Sequence, residues 1–430
     1  VTIRVCCPGT NSGGSSLDRF GPTIIVGNVA EGDSPTAYAQ NGFVYIPDPG
    51  DGTGIAAAIA ALNSPGSSGG SIHIRRGIYD FSTPTSPALP LLVNGWITIE
   101  GDGNHATQIY TPYQGVPTLF RIGAVAPNPV GRSLTIGNLY VYSYHVAGGT
   151  YPPNMSPSII DFPDLQAFGR VYIHDIRAEA DWYDPLAPLR SFFSVRSGHT
   201  VVFERCEMTC FNPQFGNETD WHRAFTFDGG ITMSVTVRDC TVTNFDAVVV
   251  VGEGRSVTLD NILVPGFRRR FVHQEALLSS PRITINGGFA EASDASAIGL
   301  DLASTSKRTV KVSDLSLSIG YGANDPGVRI RSFTNGGHAK FVNCEVKWQR
   351  ANGASFEIGT NGSNDECDRN MISNCFIRNS DPGGIAVRIF NASVLPALGS
   401  RNNIVVGNSL EANTPIIDAN PGLNQVALNV

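Results

Sequence analysis

Methionine is scarce in this chain, at 4 of 430 residues, and patterns of helical period are scarcer still, which argues against a helical protein. No run of eighteen apolar residues exists, so no membrane-spanning helix is expected. No broad basic stretch exists either, and the net charge is −7 with a pI near 5.6, which disfavours nucleic acid as a partner. Arg268-Arg-Arg270 is the one cationic cluster and reads as a solvated loop or a subunit contact. The chain has no Cys-x-x-Cys pair, phosphate loop, dinucleotide fingerprint or Ser-His-Asp order, so neither zinc nor a cofactor is expected. Its start, Val1-Thr-Ile-Arg-Val-Cys-Cys-Pro-Gly9, lacks the charged-then-apolar plan of a secretory signal.

What is present is a phrase repeated about ten times: apolar, any, apolar, any, Asp/Asn/Gly, then a small or apolar residue. Copies include Leu134-Thr-Ile136-Gly-Asn138-Leu139, Val171-Tyr-Ile173-His-Asp175-Ile176 and Val201-Val-Phe203-Glu-Arg205-Cys206. Others are Val235-Thr-Val237-Arg-Asp239-Cys240, Val257-Thr-Leu259-Asp-Asn261-Ile262 and Ile283-Thr-Ile285-Asn-Gly287-Gly288. The series continues through turn positions Asp314, Asn343, Asn374 and Asn408, with a degenerate early copy ending at Gly101. Apolar residues two apart mark strands with one buried face. The Asn, Asp or Gly that follows suits a left-handed corner. Successive turn residues lie 22 to 37 positions apart. The spacing predicts one rung of a three-sided parallel coil, with loops of varied length inserted at its corners.

Cys206, Cys240, Cys344 and Cys375 each follow a turn residue, a slot expected to point inward and stack, where cysteine acts as a small hydrophobe. Free thiols are therefore expected, Cys6 and Cys7 included. The preceding slot, with Asn138, Asn261, Asn343, Asn374 and Asn408, predicts amide pairing between rungs. With rungs about 4.8 Å apart, eleven would give a core on the order of 50 Å long.

This pattern resembles the right-handed parallel β-helix of the pectin-lyase-like superfamily, most closely in its phage tailspike and fibre form. The entry strengthens the resemblance. Residues 51–63 form an amphipathic helix with Ile55, Ile59 and Leu62 on one face, followed by a glycine-rich break and the strand Ser71-Ile-His-Ile-Arg-Arg-Gly-Ile-Tyr79. The resemblance implies an all-β, single-stranded β-helix of about eleven coils across 51–415. The helix at 51–63 would plug the first coil. Residues 1–50 would be an attachment or capping segment, and 416–430 a tail. It also implies a homotrimer.

Two insertions offer ligand chemistry. Glu179-Ala-Asp-Trp-Tyr-Asp184 and Asn217-Glu-Thr-Asp-Trp-His-Arg223 supply Trp182, Tyr183 and Trp221 as flat surfaces beside Asp181, Asp184, Glu218, Asp220 and His222. Sugar CH groups stack on rings, and carboxylates accept from hydroxyls. The same acids are the candidates for catalysis, but no paired-acid motif stands out. Packing of these side chains at the surface or between subunits is the plainer reading. A loop with Asp365, Glu366 and Asp368 offers oxygen ligands for a hard cation but departs from EF-hand spacing, and a solvated loop is the simpler account.

Three functions fit. The first is a virion structural protein that contacts host-surface glycan, docked to other virion proteins through residues 1–50. The second is a polysaccharide lyase or glycoside hydrolase working in a groove on the coil. The third is a bacterial surface adhesin, disfavoured by the missing signal. A virion location goes with the first.

Overall fold

The computed structural model describes residues 22–39, 43–63, 69–113, 118–123, 133–145, 158–162, 170–181, 190–196, 200–211, 221–228, 233–275, 281–304, 309–319, 322–333, 338–359, 367, 369–390, 402–419, 423–427 and 429–430. The chain forms two compact units, Val1–Pro188 with His199–Asn212, and Leu189–Gly198 with Pro213–Val430. The expected sites Trp182, Tyr183, Asp184, Glu218, Asp220, Asp365, Glu366 and Asp368, and Cys6 and Cys7, lie outside the described residues.

In the first unit every paired strand is parallel, and pairing joins each strand to its counterpart one repeat away. Ladder A runs Thr23–Asn28, Gly70–Ile74, Ile97–Gly101, Ser133–Gly137, Arg170–His174, Thr200–Glu204. Val44–Asp48 pairs the other edge of Thr23–Asn28. Ladder B runs Gly77–Asp80, Thr107–Tyr113, Tyr140–His145, Arg177–Asp181, Glu207–Cys210. Ladder C runs Leu91–Val93, Phe120–Ile122, Ile160–Phe162. Alternation decides which face is buried. Ile72, Ile99, Ile136, Ile173 and Phe203 are in register with one another and fully buried, as are Tyr79, Ile109 and Ala178 on ladder B.

The helix Thr53–Leu62 buries Ile55, Ala58, Ile59 and Leu62. Its start is held from outside the helix. Asp48 Oδ2 accepts from the amides of Gly54 (2.8 Å) and Ile55 (3.2 Å), and Oδ1 accepts from Gly50, Asp51 and Gly52. One buried carboxylate thus satisfies two orphan donors of the first turn, and Asp51 Oδ1 takes that of Thr53.

The second unit has the same three ladders. Within this unit ladder A runs from Ser234–Arg238 to Gln425–Ala427, and ladder C from Arg190–Val195 to Thr414–Asp418. Strand Ser256–Gln274 passes through all three sides, pairing onward with Arg282–Ala292 and Ile298–Ser304.

The corner between ladders A and B carries the left-handed residue the repeat predicts. Its φ lies between 51° and 65° at Asn138, Asp175, Arg205, Asp239, Asn261, Gly287, Asp314, Asn343 and Asn374. Two copies differ. Gly101 is a strand residue without positive φ. At the last copy the corner is Gly407 (φ 65°) and not Asn408, because Val405 is the residue in register with Ile372. Glycine takes that corner without strain. Asn408 falls into the inward slot that Cys375 fills one repeat earlier, and is buried there.

All four slot cysteines are buried, at 1 to 4% exposure, and are thiols outside any disulfide. Each thiol lies against the carbonyl two residues back: Cys206 to Glu204, Cys240 to Arg238, Cys344 to Val342, Cys375 to Ser373. The thiol is small enough for the corner and weakly satisfies its carbonyl.

Among the described residues, amide hydrogen bonding between corners occurs at two places, each to an aspartate: Asn261 Nδ2 donates to Asp239 (2.8 Å) and Asn343 Nδ2 to Asp314 (3.4 Å). The buried amide ladders lie elsewhere. Asn370 donates from both N and Nδ2 to Asn403 Oδ1, and Asn403 does the same to Asn424 Oδ1. Asn408 repeats the pattern onto Asn429. Asn370, Asn403 and Asn408 are buried, so these bonds replace water that cannot reach them.

Candidate functional site

Ladder B of the first unit presents a tyrosine-rich outer face. Ile109, Val141, Ala178 and Met208 point inward and are buried, so the residues beside them point out. In register on that outer face stand Asp80, Tyr110, Tyr142 and Glu179. The flanking columns hold Gln108, Tyr140 and Arg177, and Pro112, Tyr144 and Asp181. The four tyrosines are half-buried. Tyr142 stacks on Tyr144 with centroids 5.9 Å apart, and Tyr110 meets Tyr140 and Tyr142 edge-on at 6.3 and 5.7 Å. Phe211, 49% exposed, extends this face beyond Ala180.

The polar groups are fixed among the rings. Tyr140 Oη donates to Glu179 Oε2 at 2.7 Å. Arg177 clamps the other oxygen, with Nε at 2.9 Å and Nη2 at 2.7 Å, and its guanidinium lies 5.9 Å from the Tyr140 ring centre. Burial, then the hydrogen bond to the Glu179 carboxylate, pushes the Tyr140 phenol up, so it stays a neutral donor. Burial also pushes up Tyr142 and Tyr144. The face therefore combines flat apolar surfaces, neutral hydroxyl donors and the carboxylates of Asp80, Glu179 and Asp181. Asp181 is the one sequence-predicted acid placed here. The tyrosines are legible as Tyr140-Val-Tyr142-Ser-Tyr144, an alternation that puts three rings on one side; Tyr110 and Glu179 join only through strand pairing.

A second cluster lies on the outer face of ladder A in the same unit. His174 Nε2 is 2.9 Å from Glu100 Oε1, and Nδ1 is 2.8 Å from Asp175 Oδ2. Asn138 Nδ2 donates to Glu100 Oε2 at 2.6 Å. Tyr172 stacks on the imidazole at 4.6 Å and donates to Glu204, and Arg205 binds Asp175 and Glu204. The hydrogen bond to Glu100, reinforced by Asp175, outweighs burial and raises the His174 pKa to about 8.

The other described candidates lie in the second unit. Trp221 is 6% exposed, packed on Ala247 and Val250 with the Arg270 guanidinium 5.3 Å from its ring centre. The ring is packing, so it offers no open face for a sugar. His222 is 1% exposed; its Nδ1 lies 3.3 Å from Asp246 Oδ2, which also accepts from the His222 amide at 3.0 Å. Trp221 immediately precedes, and His222 opens, the ladder C strand His222–Phe227. Among the described residues no group of three or more His, Cys, Asp or Glu is placed to hold a metal ion. Among them, too, no helix is long and apolar enough to cross a membrane.

No protein-family model matches the chain, and no curated protein matches its sequence. Solved structures do match in fold. The A-module of the mannuronan C-5 epimerase AlgE6 from Azotobacter vinelandii superposes with a TM-score of 0.52 at 13% identity, over 89% of this chain and 96% of that one. The AlgE4 A-module of the same organism gives 0.49 at 13% identity, over 88% and 97%. Tailspike protein 3 of bacteriophage CBA120 gives 0.49 at 11% identity, over 96% of this chain and 62% of that one. The fold of this chain is the right-handed parallel β-helix, similar to that of the AlgE6 A-module.

Proposed function

We propose that this chain recognises a polysaccharide on the outer face of ladder B in its first unit. The observation that carries this reading is the row of Tyr110, Tyr140, Tyr142 and Tyr144 interleaved with Asp80, Glu179 and Asp181. Pyranose rings present CH faces to aromatic rings and hydroxyls to carboxylates. Parallel pairing repeats the contacts about every 4.8 Å, which provides several contacts along one sugar chain.

Of the uses such a face serves, modification of the polysaccharide fits best. The likeness to an epimerase module across nearly its full length supports that reading at the level of fold. Tyr140, whose one O–H is held by the Arg177-clamped Glu179, would accept from a sugar hydroxyl through its oxygen, and Asp181 would accept a proton from a hydroxyl or a ring C–H. The virion reading keeps its own support in the sequence pattern. There residues 1–50 would dock to a particle, the copies would associate as a homotrimer, and the protein would travel in the virion. The helix Thr53–Leu62 would close the first of about eleven coils, since its buried apolar side matches an open strand end.

Binding to a panel of neutral and acidic polysaccharides by affinity electrophoresis tests the face. Retardation that Tyr142→Ala and Asp181→Asn both reduce is expected. Retardation unchanged in both variants would overturn the assignment. New reducing ends, new ultraviolet absorbance from an unsaturated sugar, or an altered epimer ratio by proton NMR would mark an enzyme; binding without any of these would mark a binder.

A further inference from the structure

Asp301 sits at the centre of strand Ile298–Ser304 on ladder C of the second unit. Leu300 and Leu302 beside it are buried in the core, so Asp301 belongs to the outer face, yet it is only 1% exposed. What covers it is cationic. Arg329, its register partner, donates Nε to Oδ1 at 3.2 Å and Nη2 to Oδ2 at 2.9 Å. Arg331, two residues on, donates Nε to Oδ1 at 2.9 Å and Nη2 to Oδ2 at 3.3 Å. From the opposite strand Arg270 Nε lies 3.4 Å and His273 Nδ1 3.3 Å from Oδ2. Burial alone would push the Asp301 carboxyl up. The bonds from His273 and Arg329 and the charges of Arg329 and Arg331 outweigh it and hold the group ionised well below the usual carboxylate range.

One carboxylate has two oxygens, and here two guanidiniums share both. A guanidinium has five N–H donors in a rigid fork. Arg329 and Arg331 each place two on Asp301 and keep the outer part of the fork, with side chains 23% and 32% exposed. The other carboxylates around them are Glu357, next in register and held by Arg350 Nη1 at 2.6 Å, and Asp325, which acts on Arg329 through its charge. Two arginines are thus fixed in place before any ligand arrives. Their rotamer entropy is already lost, so an incoming group need only meet the remaining donors.

We propose that Arg329 and Arg331 form an oxyanion-binding site for a sulfate, phosphate or carboxylate group, with Asp301 as the positioning residue. A planar or tetrahedral oxyanion matches the fork because it accepts two parallel N–H bonds from one guanidinium. The site lies in the second unit and rests on residues separate from the tyrosine face, so either assignment stands without the other.

The experiment uses the full chain at low ionic strength. Sodium sulfate and sodium phosphate are titrated against sodium chloride of equal ionic strength, with binding read by calorimetry and by the rise in melting temperature. Sulfate is expected to bind and to raise the melting temperature above the chloride control. Arg331→Gln is expected to weaken sulfate by about tenfold or more, the loss of a charge-assisted bond pair. Arg331→Lys keeps the charge without the fork and is expected to weaken it as well. Arg388→Gln, two strands further on the same face, is expected to leave it unchanged. Dextran sulfate against unsulfated dextran separates the sources. Tighter binding of the sulfated polymer with the same Arg331 dependence means an anion carried on a chain, whereas binding of free sulfate alone means a small ion. No binding beyond chloride, or binding indifferent to Arg331→Gln, would overturn the proposal and leave the cluster as ion-pair packing.

Discussion

His174 reaches back across Gly137 to Glu100, 74 residues earlier, closing a 2.9 Å contact between strands that are two repeats apart on ladder A. Gly137 is the residue between them in register, and only its missing side chain leaves room for the imidazole.

That contact makes the first unit sensitive to pH. His174 faces Glu100 and Asp175, with Arg205 on the far side of Asp175, Asn138 on Glu100 and Tyr172 stacked on the ring. Its pKa is raised from 6.5 to about 8 in the folded chain. A raised folded pKa gives stability that is complete below about 6.5 and is lost as pH rises through about 8. His174→Gln should therefore lower the melting temperature more at pH 6 than at pH 9. An equal drop at both would show that the imidazolium contributes nothing.

Gly137→Ala should act on the same contact from the other side. A Cβ there would lie 2.5 Å from His174 Cε1, so the ring must leave Glu100. Overpacking of this kind costs about 1–3 kcal/mol. Urea unfolding at pH 6 should report that loss, and the pH effect of His174→Gln should vanish in the Gly137→Ala background.

The asparagine ladders predict unequal losses along their length. Asn403→Ala strips the acceptor from Asn370 N and Nδ2 in the buried interior and the Nδ2 donor from Asn424 Oδ1, which keeps the backbone amide of residue 403. A buried group left unsatisfied costs about 1–3 kcal/mol. Asn424→Ala, at the half-buried end, should cost less. Equilibrium denaturation of the two variants measures the difference, and equal midpoints would count against the ladder as a unit.

On the tyrosine face, Tyr142→Ala should weaken polysaccharide retention by about twofold to tenfold, the range for one aromatic contact. Tyr140→Phe keeps the ring and removes the hydroxyl from Glu179. It should leave retention near wild type, and any turnover should fall. A fall in retention as large as that of Tyr142→Ala would mean that the hydroxyl, not the ring, carries recognition.

The slot cysteines should resist thiol reagents in the folded chain. Cys375 is buried, and contact with the Cys344 thiol followed by burial pushes its own thiol up, so little thiolate forms. Rapid native labelling of peptides holding Cys206, Cys240, Cys344 or Cys375 would contradict the inward slot; labelling should need denaturant.

The period-two phrase and its left-handed corner were readable because each is dictated locally, by alternation and by backbone sterics at Asp175, Asn261 or Asn374. The last copy misled because Val405 and Val406 fit the alternation equally well. Only pairing with Ile372 makes Val405 the inward residue and Gly407 the corner. Trp221 reads as a ligand surface in a polar stretch, yet it packs on Ala247 and Val250 beside the Arg270 side chain. The sequence alone did not single out the tyrosine face, although part of its signal is there. Three rings alternate along one strand, but Glu179 and Tyr110 reach them only through neighbours 37 and 32 positions away, which no local pattern encodes.

The corners have one further consequence. Spacing between them varies by up to fifteen residues, from 22 to 37, while strand pairing keeps its register on either side. From Ser133 onward the corner itself stays equally short, so the added chain length falls elsewhere in the repeat and leaves the paired strands in register. New side chains can be tried there one repeat at a time, so a single scaffold can change what it grips without being refolded.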